Sequence, residues 1–499
     1  MTYDCDVAII GSGVAGLICG GLLAKKGVKV IICEKHTSPG GNLSSFERKG
    51  FIFDTGPHWI IRCGPGELMY NLFDKIGILK ELKFIKYNLL PWDLVLPDGE
   101  KNILPETRKE FHAYLKDKFP GEANALDKYF DEVDKAGKDT LPKIFSKTVT
   151  PLSELEKQEF YRLPAVEYID QHFTDKNLKL ILSYTAYPYA RTSMALMAGY
   201  WKEVDSQTNY YPVGGMQGVA NALAEGFKSL GGELLLKTRV NRILIEKGKA
   251  VGIEIAGGKR ISSRFVVSNA DARLTYLGMI GKDFLPHELI KNLDEWKPEK
   301  GAFYVYLGVD MDLKKAGMGK KGIWYIPRYN LFGKVIEGNG EDLLPLPYGL
   351  LVTVPSLMDP SIAPPGKHCV LLCSCYVDHD FHNNWQTGPG GRRTPEYRRL
   401  KKVVADQFID YAEKILPGLR KSIVVMDTAS PLTYERYTFN YKGSQTGWSW
   451  EAETGGKRLD QASCIKNLYL AGHWTAFPGG VAAAALSGMR TAETILSEP

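Results

Sequence analysis

Short apolar runs alternate with a helical stretch at the start of the chain. Residues 6–10 and 28–33 are apolar runs typical of buried strands. Between them lie glycines and other small residues, followed by helix-compatible residues up to Gly27. We therefore predict a βαβ unit, in which a helix connects two parallel strands.

Two later stretches carry similarly clear patterns. Residues 219–230 predict a helix, and the residues after it predict a β-meander with turns at 247–249 and 257–258. Near the C-terminus, residues 468–470 predict a strand and residues 482–496 a final helix. The segment between them is rich in glycine, and the helix begins with a run of alanines. Side chains this small allow another molecule to approach the backbone closely.

The regions between these stretches have patterns of their own. Residues from about 80 to 205 are mainly helical by their apolar spacing, with a hairpin over residues 93–104 that turns at Pro97, Asp98 and Gly99. Residues from about 296 to 425 mix strands with one helix. The predicted helices are 111–119, 123–136, 165–173, 178–187 and 397–416, and the predicted strands are 302–309, 349–354 and 368–376.

Composition is that of an ordinary globular protein. Of the 499 residues, 44% are hydrophobic and 24% are charged, and a net charge of +6 over this length does not indicate nucleic-acid binding. The uncharged residues 7–24 reach the lower length limit of a membrane span, but their five glycines favour a strand, a turn and a helix. Two basic clusters are either solvated surface or contacts for anionic lipid. They are Lys314, Lys315, Lys320 and Lys321, and Arg392, Arg393, Arg398, Arg399, Lys401 and Lys402.

The eight cysteines include no Cys-x-x-Cys pair and indicate neither a zinc site nor a redox motif. Their apolar surroundings favour free thiols in a reducing cytoplasm. His379 and His382 are close in sequence but lack further ligands, so we assign no metal.

The first predicted turn has the spacing of a dinucleotide-binding loop. Gly11, Gly13 and Gly16 stand between the first strand and the helix, with Val14 and Ala15 between the last two glycines. In such a loop the glycines allow a tight turn, close approach of a pyrophosphate and close packing of helix on strand. Glu34 ends the second strand and is placed to accept hydrogen bonds from a ribose, with Lys35 beside it. We predict a dinucleotide site here.

Residues 34–60, EKHTSPGGNLSSFERKGFIFDTGPHWI, resemble the N-terminal FAD segment of the phytoene desaturase family. That family includes carotenoid desaturases, carotenoid isomerases and retinol saturases, and it is a branch of the amine oxidase superfamily. Two further blocks resemble it, YPVGGM with the β-meander that follows, and the C-terminal AGHWTAFPGG with its helix. The resemblance implies FAD as the cofactor. It places at FAD, besides the loop residues above, Gly40, Gly41, Asn42, Gly56, Pro57, His58, Val240, Asn269, Gly472, His473, Gly480 and Val481.

The resemblance also explains the small residues near the C-terminus. In the related flavoproteins the final helix points its N-terminus at the flavin edge where negative charge accumulates on reduction. A helix dipole and free N–H groups favour such charge. We therefore expect Gly480 and Val481 to open this helix against the flavin.

The resemblance implies an α/β fold with a discontinuous Rossmann-type FAD-binding domain and an inserted α+β domain. We predict that residues 1–80, 206–295 and 426–499 form the FAD-binding domain. Residues 81–205 and 296–425 form the domain that faces the substrate and the membrane. With no second dinucleotide loop in the sequence, no site for a nicotinamide cofactor is visible.

Candidates for substrate contact are concentrated beside the FAD blocks. Aromatic residues cluster before YPVGGM and before the last block, which is typical of either a core or an apolar tunnel. We assign Trp201, Tyr211 and Gly214 to the substrate. His58 and His473 are candidates for acid–base catalysis or for bonding to the flavin.

Three functions remain open from the sequence. The first is FAD-dependent chemistry on C–C bonds of a long isoprenoid or polyene, by desaturation, saturation or cis–trans isomerisation. The alternative is a flavin amine oxidase that acts on a C–N bond, and the third is a non-catalytic flavin or lipid carrier. A hydrophobic substrate implies a cytoplasmic protein in peripheral contact with membrane lipid. The oligomeric state is left open.

Overall fold

The computed structural model describes residues 3–86, 92–144, 163–186, 192–206, 209–331, 334–335, 349–449, 458–475 and 479–499. Two seven-stranded sheets organise these residues. Helices of eight or more residues are Val14–Ala24, Leu68–Ile76, Arg108–Lys118, Ala123–Ile144, Ala165–His172, Lys176–Thr185, Met194–Ser206, Met216–Ser229, His287–Glu295, Pro395–Ile415, Pro431–Thr438 and Val481–Ser497.

The first sheet is parallel where it carries the βαβ unit. Val7 pairs with Val30 on one side and with Phe265 on the other. The strand of Phe265 continues into the predicted antiparallel meander and also pairs with the last strand of the chain. In spatial order the strands are Glu233–Leu235, Val30–Cys33, Cys5–Ile10, Arg260–Ser268, Lys249–Ile255 and Val240–Glu246, with Leu468–Leu470 beside Arg260–Ser268.

The second sheet draws strands from both inserted regions of the sequence. Trp92–Val95 pairs in parallel with Gly322–Tyr325, so the hairpin of the first insertion joins the strands of the second. The predicted domain boundary at residue 426 falls inside strand Ile423–Ala429, which pairs with Gly301–Val309 in this sheet. In spatial order the strands are Ile423–Ala429, Gly301–Val309, His368–Val377, Leu350–Thr353, Gly322–Tyr325, Trp92–Val95 and Lys101–Asn102. The domain boundaries as a whole stay a prediction.

Short strands complete the fold. Ser45–Arg48 pairs with Phe51–Asp54, and Asn209–Pro212 lies between Ile60–Ile61 and Phe84–Lys86. Asn330–Leu331 and Lys334–Val335 form one further small ladder.

The helix Val14–Ala24 is buried along almost its whole length. It crosses the final helix, Val481–Ser497, at very short range, because a Cβ atom built at Gly488 would lie 2.2 Å from the carbonyl oxygen of Ala15. Only glycine fits this crossing. The contact brings the N-terminal ends of the two helices to one region of the molecule.

Among the described helices, none combines the length and the apolar composition needed to cross a bilayer.

Candidate functional site

A cavity of about 530 Å³ opens where the first sheet meets the N-terminal ends of these two helices. Its walls are the glycine loop, the second strand end, the start of the meander and a segment near residue 440. Of the cofactor residues predicted from the sequence, those that line it are Gly11, Gly13, Val14, Ala15, Glu34, Lys35, Gly40, Gly41, Asn42, Gly56, Pro57, Val240, Asn269, Gly472, His473, Gly480 and Val481.

The glycine loop is packed too tightly for side chains. Gly11 has a φ of +92°, and a Cβ atom at Gly16 would lie 2.3 Å from the carbonyl oxygen of Gly11. The Asn269 side chain lies against the loop, and its Oδ1 accepts hydrogen bonds from the N–H groups of Gly13 and Gly16, each at 3.2 Å. Gly16 thus supports the loop without lining the cavity.

Glu34 is buried at the end of the second strand. Its Oε2 accepts hydrogen bonds from the N–H and the hydroxyl of Ser12, at 2.9 and 2.8 Å, and its Oε1 accepts one from the N–H of His36. The carboxylate is therefore held in one orientation at the cavity wall by the glycine loop itself.

The second glycine pair packs directly on the first loop. The N–H of Gly40 donates to the carbonyl of Ser12 at 3.0 Å, and a Cβ atom at Gly41 would lie 3.3 Å from the Cα of Gly13. Next to them the Asn42 amide donates to the carbonyl of Gln445. Side chains in place of these hydrogens would press on Leu43 and on the first glycine loop, so both positions need glycine for close packing.

Two helices present their N-terminal ends to the cavity. Gly13 and Gly480 are the N-cap residues and have no side chain to cap their helices, although Asn269 accepts from Gly16 in the first turn of the first helix. The first internal hydrogen bonds come only at Leu17 and Ala484, so the N–H groups of the first turns point toward the cavity region. Such ends attract negative charge.

Hydrogen bonds from the final helix fix the glycine turn before it. Ser487 Oγ accepts from the N–H of Gly472 at 2.9 Å and lies 2.9 Å from the Thr475 hydroxyl. Gly472 itself has a φ of +99°, and a Cβ atom there would lie 2.7 Å from the Asn269 side chain. The turn is therefore locked against both the helix and the first loop.

His473 follows this turn and lies in the cavity wall. Its Nε2 is buried without a hydrogen-bond partner among the described residues. Burial lowers the pKa of His473 to about 4, so the ring is neutral at physiological pH.

The family described as flavin containing amine oxidoreductase matches residues 14–496. The chain belongs to this family. FAD is its cofactor and the protein is an FAD-dependent oxidoreductase, which confirms the cofactor and enzyme class predicted from the sequence. The two glycine segments that line the cavity and the open helix ends both fit FAD.

Relatives within this flavoprotein family extend over nearly the whole chain. The chain is 28% identical to prolycopene isomerase of Daucus carota, over 99% of this chain and 80% of that protein. It is 25% identical to all-trans-retinol 13,14-reductase of Danio rerio, over 99% of this chain and 86% of that protein.

Solved structures of other proteins share the fold. An oxidoreductase from Methanosarcina mazei superposes with a TM-score of 0.66 at 17% identity, covering 99% of this chain and 100% of that one. Putrescine oxidase bound to putrescine superposes with a TM-score of 0.66 at 14% identity, covering 99% of each chain. These likenesses confirm the predicted α/β class with a Rossmann-type FAD-binding part.

The flavoprotein cavity also contains a cationic corner that the sequence did not reveal. Lys35 Nζ lies 3.1 Å from the ring centroid of Phe439, and the Arg239 guanidinium lies 5.1 Å from the same ring. Burial, and secondarily Arg239, lower the pKa of Lys35 to about 8. Phe439 and Tyr434, both in the cavity wall, come from the aromatic cluster that was predicted as core or tunnel. Clustering alone did not indicate that this segment closes the cofactor cavity.

His58 lies behind the cavity wall formed by Gly56 and Pro57. Its Nε2 is 3.2 Å from the hydroxyl of Tyr304, and its Nδ1 is 3.4 Å from that of Thr353. Burial lowers the pKa of His58 to about 4. The ring is therefore neutral and engaged by hydroxyl groups.

The three residues assigned to the substrate do not line the cavity. Trp201 is fully buried in a helical core, where its indole N–H donates to the Tyr129 hydroxyl at 3.0 Å. Tyr211 donates its hydroxyl to Asp54 at 2.7 Å, and the N–H of Gly214 donates to Asp359. These contacts give the three residues packing or hydrogen-bonding partners, and their assignment to the substrate stays a prediction. Tyr187, Tyr189 and Trp450, which belong to the two aromatic clusters of the sequence, lie outside the described residues.

Proposed function

We propose that this flavoprotein acts on carbon–carbon double bonds of a long isoprenoid polyene, with cis–trans isomerisation as the reaction. The observation that carries this proposal is the similarity of nearly the whole chain to relatives named for polyenes. The cofactor cavity agrees with it, because Glu34 is the one carboxylate among the described residues that line this cavity, and both of its oxygens are engaged by Ser12 and His36.

The named relatives support the same substrate class. One acts on prolycopene and another on all-trans-retinol, according to their names, and each aligns with 99% of this chain. Isomerisation is placed before saturation because the relatives named prolycopene isomerase are 28% identical, against 25–26% for the retinol reductases.

The chain's residues have distinct parts in holding FAD. The N–H groups of Val14 and Ala15 would face the pyrophosphate of bound FAD, and Glu34 would accept from its ribose hydroxyls. The start of the helix at Val481 would meet the flavin edge, and His473 would lie beside the cofactor as part of the cavity wall. These assignments rest on the open helix ends and on the residues that line the cavity.

Bound FAD supplies a reversible two-electron acceptor. The chain sets the charge around it, because the uncapped helix at Gly480 favours negative charge at the facing edge. The rings of His58 and His473 are neutral and add no positive charge to this region, because burial lowers both pKa values to about 4. The surroundings thus suit an apolar substrate that exchanges no net charge with the protein.

The decisive experiment measures product mass. FAD-loaded protein, oxidised or reduced with dithionite under anaerobic conditions, is incubated with lipid-dispersed prolycopene, phytoene and retinol, and the products are separated by chromatography. Isomerisation leaves the mass unchanged, saturation adds two hydrogens and desaturation removes two. Reaction with none of the polyenes, together with oxidation of putrescine or another amine, would replace the proposal by the amine oxidase alternative.

We also propose a cytoplasmic protein that contacts anionic lipid peripherally. The eight cysteines are all free, which is usual in a reducing compartment, and the basic residues between 392 and 402 lie mostly exposed or half-exposed. Replacing Arg392, Arg398 and Arg399 by glutamate should lower co-sedimentation with vesicles that contain phosphatidylglycerol. Unchanged co-sedimentation would reject lipid contact by this cluster.

A further inference from the structure

A second concave site lies far along the chain from the cofactor residues. It is a groove of about 280 Å³ between the start of helix Pro395–Ile415 and the edge strand Ile423–Ala429. On the helix side, residues 397, 398, 401, 402 and 405 form one stripe, as expected for positions four apart. The strand contributes Met426 and Thr428.

Four cationic side chains line this groove, Arg393, Arg398, Lys401 and Lys402. Of these, Lys402 has a carboxylate partner, Asp406 at 2.5 Å. The nearest acid on the strand, Asp427, pairs with Arg48 at 3.2 Å. The positive charge of the groove is therefore only partly balanced by the described residues.

Two of the cations have no carboxylate hydrogen-bonded to them among the described residues, although Asp427 acts on Lys401 through its charge. Lys401 Nζ donates to the backbone carbonyl of Thr428 at 2.6 Å, and Arg393 Nη2 is buried with no hydrogen-bond partner among the described residues. Both lie near the ring of Tyr397, Arg393 Cζ at 5.4 Å and Lys401 Nζ at 5.9 Å from its centroid. Burial and the neighbouring Arg393 lower the pKa of Lys401 to about 8. Repulsion between two fixed cations is relieved by an anion placed between them.

We propose that this groove binds a phosphate group, with Arg393, Arg398 and Lys401 as its ligands. Arginine offers paired N–H donors and lysine a compact charge, and both are suited to phosphate oxygens. The edge strand also exposes Val424 and Met426, with 42% and 44% of their surface accessible, on the same side as Thr428. Apolar residues beside the cations suit a phospholipid headgroup as well as a soluble phosphate ester.

This site deepens the proposed lipid contact but stands without it, and it is independent of the proposed reaction. The FAD-loaded, oxidised protein is titrated with sn-glycerol 3-phosphate by calorimetry, and separately with phosphatidylcholine vesicles with and without phosphatidic acid. Filled cofactor sites and the absence of turnover keep the reaction out of both measurements.

The test compares two variants that lose the same charge. Arg398→Gln/Lys401→Gln removes two groove cations, whereas Lys259→Gln/Lys421→Gln removes two exposed cations that do not line the groove. We expect the groove variant to weaken phosphate binding by at least about tenfold and the control by less than about twofold. Flavin absorbance and thermal unfolding check the fold, and the exposed Arg398→Glu substitution serves if the double variant is unstable.

Each outcome decides the proposal. Groove-dependent binding of glycerol 3-phosphate identifies a soluble phosphate ester as a ligand, and groove-dependent binding of phosphatidic acid vesicles alone identifies a headgroup. Equal losses in the groove and control variants, or no binding of either ligand by the wild-type protein, would overturn the proposal. If the groove variant loses lipid binding while polyene turnover never appears, the proposed reaction is rejected and the proposed phosphate site is supported.

Discussion

Gly488→Ala should separate the two helices that meet at the cofactor cavity. A Cβ atom at this position would lie 2.2 Å from the oxygen and 2.9 Å from the carbonyl carbon and Cα of Ala15. These are backbone atoms, so no side chain can rotate away. The helices must move apart by about 1 Å to restore ordinary van der Waals distances.

Two opposing free-energy terms set the effect of Gly488→Ala on stability. Alanine is favoured over glycine in a helix by about 1 kcal/mol, and overpacking a core costs about 1–3 kcal/mol. Gly218 provides the matched control, because it is exposed in helix Met216–Ser229 and its nearest neighbour to a new Cβ is the carbonyl oxygen of Val213 at 3.8 Å. The difference between Gly488→Ala and Gly218→Ala therefore isolates the packing cost, about 1–3 kcal/mol in the free energy of unfolding.

Gly488→Ala should also weaken the binding of FAD. Ala15 and Gly472 both line the cavity, and Gly472 is hydrogen-bonded to Ser487, the neighbour of Gly488. We expect FAD to bind at least about tenfold more weakly to Gly488→Ala, equivalent to about 1.4 kcal/mol. Urea unfolding of the apoprotein and fluorescence titration with FAD measure the two effects. Equal stability and equal FAD affinity in the two variants would refute the close helix crossing as a structural requirement.

Three further predictions concern single side chains. His473→Ala should raise the Kd for FAD about three- to tenfold in a fluorescence titration, because His473 lines the cavity, whereas His473→Gln should raise it less, because the amide keeps a polar group there; equal effects would contradict a polar contact between His473 and FAD. FAD affinity should fall as pH rises through about 8, where Lys35 loses its charge, and Lys35→Gln should remove this dependence; a pH slope that persists in the variant would exclude Lys35 as its source. Burial raises the pKa of Asp271 to about 6, so the stability that its protonated form contributes is present below about pH 4 and is lost as pH rises through 6. Relative to Asp271→Asn, the wild-type free energy of unfolding should fall by about 3 kcal/mol between pH 4 and pH 7, and parallel pH profiles of the two proteins would contradict it.

Local pattern predicted the cofactor side of the molecule well. These elements are close in sequence: the glycine loop, the strand before it and the helix after it. Their spacing along the chain therefore predicts their geometry. The β-meander and the final helix were found within a few residues of the predicted bounds, Val481–Ser497 against 482–496. In each case short-range hydrogen bonding and apolar period decide the structure.

Contacts between distant parts of the sequence could not be predicted in this way. Phe439 and Lys35 are far apart in the sequence but in contact in the structure, and nothing near either residue indicates the other. Tyr211 was assigned to the substrate because it stands beside a cofactor block. In the strand Asn209–Pro212, however, alternate side chains face opposite sides, and that of Tyr211 points inward to Asp54.

The small residues of the C-terminal helix meet two separate physical demands. At Gly480 a φ of +106° and open space around the Cα leave the first turn of the helix free to face the cavity. At Gly488, two turns further on, the demand is close packing on Ala15. The close packing at Gly488 also orients the start of the helix at Gly480, because the crossing fixes the direction in which the helix leaves the cavity. A helix with larger residues at the crossing would still form, but its N-terminus would point elsewhere.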